Sequence, residues 1–156
     1  MQASTPADDA VRLAYLLTGD RALAEDLVQD AFVRLAGRLA HLRDEGAFEA
    51  YLRRTVVNLS RSCFRHRKVE RAYLERAGRA PASPGITAPD LGDRDALWDA
   101  LARLPQRQRA ALVLRYYEDL SERQIADVLQ APVGTVKSLL SRGLNTLRNE
   151  IGGEER

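Results

Sequence analysis

Apolar residues recur along this chain at helical spacing, while no stretch keeps a period of two and no internal repeat is found. Asp20 is placed to cap a helix whose Ala24, Leu27, Val28, Ala31, Phe32 and Leu35 fall on one face, with Glu25, Asp26, Gln29, Asp30 and Arg34 on the other. A polar break from His41 to Ala47 follows. The next helix turns Phe48, Leu52, Val56, Leu59 and Cys63 inward and Asn58, Arg61, Ser62 and Arg65 outward. Asp93 or Asp95 then starts a helix with Leu97, Trp98, Leu101 and Leu104 as its apolar side, and Pro105 opens another that buries Ala111, Leu114 and Tyr117.

The stretch SERQIADVLQAPVGTVKSLLSR, residues 121–142, has a sharper pattern. Ser121 and Gln124 form a capping box, and Ile125, Val128 and Leu129 follow on one face. Pro132 cannot continue that helix but suits the first position of the next, whose apolar stripe is Val136, Leu140 and Leu144. Small Ala126 permits close approach of the pair, leaving Val133, Thr135, Lys137, Ser138, Ser141 and Arg142 on or near the outward side. This is helix-turn-helix spacing, with an ordinary helical hairpin as the alternative that these residues alone leave open.

Between the two helical halves lies RAPASPGITAPDLGD, whose prolines and glycines interrupt any helical period. The expected architecture is all-α: residues 1–72 as one small helical domain, 73–92 as a flexible linker, and 93–156 as a second domain containing the helix-turn-helix. A chain of 156 residues accommodates two such units.

Composition adds a charge pattern rather than a net charge. The formal balance is only +2, but Arg53, Arg54, Arg61, Arg65, Arg67, Lys68, Arg71, Arg76 and Arg79 crowd the middle of the chain with few acids among them. A polyanion fits that stripe; so does plain solvation of a helix face. Asn58, Arg61, Ser62 and Arg65, flanked by Tyr51 and Phe64, combine phosphate contacts, amide readout and stacking surface, a set suited to separated strands. The second helix of the helix-turn-helix suits a duplex major groove instead, through Lys137 and Arg142 with Thr135 and Ser138.

Chemistry of other kinds finds little support. Asp26 and Asp30 stand one turn apart, yet no histidine, glycine loop or nucleophile converges on them in the sequence. Cys63 and His66 are too few for a zinc site, and no phosphate-cradling glycine motif occurs, so neither a metal nor a cofactor is expected. A single cysteine excludes an intrachain disulfide and fits a reducing compartment. The opening MQASTPADDA lacks the features of a signal peptide, and no apolar run is long enough to cross a bilayer, so a cytoplasmic protein without membrane insertion is expected.

Three runs, YLLTGDRALAEDLVQDAFVRL, EAYLRRTVVNLSRSCFRHRK and LPQRQRAALVLRYYEDLSERQIADVLQAPVGTVKSLLSRGLNTLR, together resemble the extracytoplasmic-function sigma factors of bacterial RNA polymerase, closest to their actinobacterial type. The resemblance implies a noncatalytic subunit that gives polymerase core its promoter choice and helps trap the melted strand. It implies that Asp26, Gln29, Asp30 and Arg34 dock on the large beta and beta-prime subunits of the core. It further implies that Arg43, Asp44, Asn58, Arg61, Ser62 and Arg65 meet the minus 10 element around a flipped base, and that Val133, Thr135, Lys137, Ser138, Ser141 and Arg142 meet the minus 35 element. The linker permits an anti-sigma factor to clasp the two domains. The competing reading is a freestanding helix-turn-helix regulator, which needs its own duplex affinity and usually a dimer interface.

Several positions depart from the family pattern. Little precedes Val11, so a short first helix is expected; Ala36 and Leu39 stand where tryptophans are usual; and Gln130, Pro132 and Leu139 replace a glycine, a serine and an arginine of the reading head.

Overall fold

A computed structural model of the chain describes residues 5–38, 45–78 and 95–154, and every regular element among them is helical. The first unit contains α1 (Pro6–Thr18), α2 (Arg21–Ala36) and α3 (Glu45–Arg76); the second contains α4 (Asp95–Ala102), α5 (Gln106–Leu112), α6 (Glu122–Leu129) and α7 (Val133–Glu154).

α1 starts at Pro6, before Val11, and runs for 13 residues. Thr5 accepts from the Asp8 backbone while the Asp8 carboxylate accepts from the Thr5 N–H, and Pro6 occupies the first turn, where its missing N–H costs nothing. Gly19 ends α1 with a left-handed φ of 75°, and Asp20 immediately caps α2 by accepting from the Leu23 N–H at 3.1 Å. This tight hairpin buries Leu13, Leu17, Ala24, Val28 and Ala31 between its arms, and α3 closes the unit with Leu52, Val56 and Val57. The two buried polar groups here are satisfied locally: the Thr18 hydroxyl donates to the Ala14 carbonyl at 2.8 Å and Ser60 to that of Val56 at 2.9 Å.

α3 departs from the sequence reading in three ways. Residues 45–47, expected in the polar break, already belong to the helix, and at its far end α3 runs to Arg76, so residues 73–76 assigned to the linker are helical. Adjacent Val56 and Val57 are both fully buried although their side chains point about 100° apart. The covered face of α3 is therefore wider than a single stripe, and Cys63, expected in the core, is left half-buried at its margin.

In the second unit α5 and α6 pack on α7, with Leu114, Ile125, Leu129 and Val136 in the centre. Leu101 and Leu104 are buried as expected; the side chains of Leu97 and Trp98 lie outside the described residues, as do Asp93, Leu39, Arg79 and the expected linker from 79 to 92. α5 continues into a π-helical turn, Val113–Tyr117, closed by the Glu118 N–H donating to the Val113 carbonyl at 3.1 Å. Its wider turn breaks the 3.6 period, so Val113 and Leu114 are both buried while Tyr117, expected in the core, is 45% exposed.

The helix-turn-helix forms, its second helix starting one residue later than read, at Val133. Both halves of the Ser121–Gln124 capping box are made, and Pro132 lies one residue before α7, where its carbonyl accepts the first helical bond from Val136. Gln130, standing where a glycine is usual, turns the chain with φ 53° and ψ 51°. A side chain in the left-handed region costs roughly 1–2 kcal/mol. Gln130→Gly is therefore expected to stabilise the chain by roughly 0.5–1 kcal/mol once the extra unfolded-state freedom of glycine is set against the relief of strain. A higher midpoint in urea denaturation is the expected result; an unchanged or lower one contradicts a strained turn.

Candidate nucleic-acid and polymerase interface

Three surfaces carry the residues singled out from the sequence. On α2, Asp26, Gln29, Asp30 and Arg34 are all exposed, and Arg34 Nε lies 3.3 Å from Asp30 Oδ1. Val33 falls one turn beyond Asp30 on the same face and is 73% exposed. An exposed apolar side chain of this size beside carboxylates is a feature that the sequence reading, which sorted α2 into apolar and polar positions, passed over.

On α3, Asn58, Ser62 and Arg65 are exposed as expected, but Arg61 is half-buried. Its guanidinium donates to the Leu129 carbonyl, at the end of α6, across 3.3 Å. Burial lowers the Arg61 pKa, and the nearby Arg107 and Arg65 charges lower it further. Arg43 and Asp44, assigned to the same element, lie outside the described residues.

On α7, Lys137, Ser138, Ser141 and Arg142 are exposed, Val133 is partly exposed and Thr135 half-buried. Ser138 returns its hydroxyl to the Gly134 carbonyl at 3.2 Å, and Lys137 Nζ stands 4.0 Å from Glu122 Oε2, a loose surface pair that binds little. Ser141, Arg142, Leu144, Asn145 and Arg148 line a shallow groove along this face. Among the described residues no cluster of three or more histidine, cysteine or acidic side chains is placed to hold a metal ion, and no helix is long and apolar enough to cross a membrane.

A fourth feature escaped the sequence reading: the two units pack on each other, and Arg109 of α5 is the centre of the junction. Only 3% exposed, it donates from Nε to the Leu101 carbonyl (2.9 Å), from Nη2 to those of Ala102 (3.0 Å) and Leu104 (3.2 Å), and from Nη1 to Leu17 of the first unit (2.9 Å). The guanidinium also lies 5.3 Å from the centre of the Phe64 ring on α3. Burial lowers its pKa to about 10, which leaves it charged at neutral pH. Beside it, Arg53 Nε meets Glu118 Oε2 at 3.3 Å, at the rim of a cleft of about 350 Å³ that Asp9 and Glu49 also line.

Two family models match the chain: sigma-70 region 2 over residues 7–70 and sigma-70 region 4 over residues 94–147. The RNA polymerase sigma-E factor of Streptomyces coelicolor is 38% identical over 148 residues, covering 94% of this chain and 82% of that protein. The extracytoplasmic-function sigma factor SigW of Bacillus subtilis is 28% identical, over 92% of this chain and 83% of its own length. Among solved structures, the sigma factor RpoE of Bartonella quintana in complex with the anti-sigma factor NepR superposes with a TM-score of 0.76 at 26% identity, covering 94% of this chain and 92% of that one. An all-helical protein with a region 2 and a region 4 is thereby defined. The chain belongs to the sigma-70 family, as an extracytoplasmic-function sigma factor that binds RNA polymerase and recognises promoters.

The junction has a pH signature. Burial raises the Glu118 pKa above the ordinary value of 4.5; Arg53 opposes the rise, and Asp9 and Glu49 reinforce it. The folded chain therefore takes up this proton more readily than the unfolded chain. This group's stabilisation is complete below the ordinary glutamate pKa and is lost as pH rises through the raised one. Glu118→Gln removes the term, so lowering the pH from 7 toward 5 is expected to shift the difference in Tm in favour of the natural chain. A shift in favour of the variant contradicts a raised pKa.

Proposed function

We propose that the three exposed faces divide the work of initiation among them. Asp26, Gln29, Asp30 and Arg34 of α2, with Val33 as apolar anchor, dock on the beta and beta-prime subunits of polymerase core. Asn58, Arg61, Ser62 and Arg65 of α3, together with Arg43 and Asp44, hold the minus 10 strand after opening. Val133, Thr135, Lys137, Ser138, Ser141 and Arg142 read the minus 35 duplex. On this reading the functional boundaries are 1–72, 73–92 and 93–156, and the protein acts in the cytoplasm without catalysing a reaction of its own.

The observation that carries the docking role is the α2 face: two solvent-facing carboxylates one turn apart, with a bare valine one turn further on the same stripe. Nothing in the fold of the free chain requires these groups, since the helix is already held by the opposite face through Ala24, Leu27, Val28, Ala31 and Leu35. They are available to a partner at no cost to the core. Arrangement of the units like that in a sigma factor complexed with an anti-sigma factor supports a regulator of the same class as a further partner.

Titration of the labelled chain with bacterial RNA polymerase core tests this division. Asp26→Ala with Asp30→Ala is expected to weaken binding at least tenfold while leaving the helical content unchanged, because both side chains are exposed. Equal binding by the double variant removes the docking face. Sequence-specific duplex binding with no affinity for core at all would instead place the chain among freestanding regulators.

A further inference from the structure

Beyond Arg65, α3 runs on for about three further turns, and the stripe assigned to the opened strand continues along it. At about 100° per residue, Asn58, Ser62, Arg65, Val69, Tyr73 and Arg76 all fall within an arc of about 80°. All of them are exposed, Val69 by 68% and Tyr73 by 71%. Glu70 and Glu75 fall to either side of the arc, and Arg67 is turned away from it toward Asp20, 3.9 Å from the carboxylate. The far part of the helix thus presents two bare apolar side chains between two arginines.

Nothing in the fold accounts for this face. The core takes its share of α3 at Leu52, Val56 and Val57, and the second unit, packed as it is on α3, leaves Val69 and Tyr73 open. The sigma-70 region 2 match ends at residue 70, whereas α3 continues to Arg76, so Tyr73 and Arg76 are features of this chain and not of the family pattern.

The order of the chain says what lies against the face. Arg43 and Asp44, assigned to the flipped base, precede α3, which turns the start of the helix toward the opened strand. The last turn of α3 leads through residues 77–94 to the unit assigned to the minus 35 element. Its far end therefore points along the duplex between the two elements. An α-helix fits the major groove, where apolar side chains meet thymine methyl groups and arginines meet phosphates. From Arg65 to Arg76 the helix rises about 16 Å, the length of roughly five base pairs.

We propose that the far end of α3 is a further DNA subsite: Val69 and Tyr73 enter the major groove of the duplex adjoining the minus 10 element and favour thymine there, with Arg76 on a phosphate beyond them. Arg65 marks where this subsite meets the strand-holding one. The subsite adds a sequence preference that the residues assigned to the two elements do not supply. It rests on the sigma reading, since only polymerase and promoter together lay a duplex along α3.

Selection from a pool of random-sequence duplexes, by the full chain joined to bacterial RNA polymerase core, tests the subsite. The retained DNA is expected to be enriched in thymine, on one strand or the other, within about five base pairs upstream of the minus 10 element. Val69→Ala with Tyr73→Ala is expected to cut that enrichment roughly fivefold while leaving the preferences at both elements and the helical content unchanged. Arg76→Ala is expected to weaken binding to all sequences alike and to lower the salt slope by about 1. On templates mispaired over these positions the double variant is expected to bind like the natural chain; a loss there as large as on duplex overturns the proposal in favour of an unpaired strand. The same enrichment in the double variant also overturns it, as does weaker binding of that variant to core without DNA, which gives the face to the polymerase. Failure of the natural chain to select any sequence with core removes the sigma reading, and the subsite with it.

Discussion

A guanidinium buried without a carboxylate must find its compensation elsewhere, and in this chain the search for partners is what joins two units into one body. Arg109 has five N–H donors to satisfy, and α5 on its own offers none of the acceptors. They come from carbonyls at or just past helix ends: Leu17 near the end of α1, Leu101 and Ala102 at the end of α4, and Leu104 just beyond it. Helix C-termini are also the negative ends of their dipoles, so a cation is favoured there twice over. Charge-assisted bonds of this kind contribute about 1.5–3 kcal/mol each when made and cost a similar amount when one partner is removed. The Leu17 bond is the only one of the four that crosses between units.

That difference separates the ties within a unit from those between units. Within the second unit, the bonds from Arg109 to residues 101–104 fix where α4 ends and α5 begins, and α7 is positioned by its packing on α5 and α6. Across the junction the ties are few and face water at their rim. The polar faces of α2 and α7 stay exposed in this arrangement, whereas Arg61 and Phe64 of α3 are engaged by the second unit.

Much of this was legible in the sequence because helical signals are local. The Ser121–Gln124 capping box, the Asp20 cap and the apolar stripes of α2 and α7 depend on residues three or four apart, and all formed where the pattern put them. The misses share a cause too. Tyr117 leaves the core because a π-helical turn shifts the period, and a single residue's shift in hydrogen bonding has no signature in apolar spacing. Arg61 was assigned to the solvent face of α3, whereas it meets the Leu129 carbonyl, 68 positions away. Arg109 was invisible for the same reason: an arginine in a run of polar residues reads as solvent-facing until the carbonyls it meets are in place. The Thr5 and Asp8 capping box, by contrast, was there to be read from the spacing and was passed over.

The claim on which the account depends is that Arg109 and Phe64 touch in the chain by itself. Nuclear Overhauser contacts between the Arg109 side chain and the Phe64 ring, recorded on the full chain with no partner present, address it directly. The account predicts clear contacts, with an Arg109 Nε–H signal slow to exchange with water. Absent contacts together with a rapidly exchanging Nε–H would mean that the two units move independently, and that the shared guanidinium does not describe the resting protein.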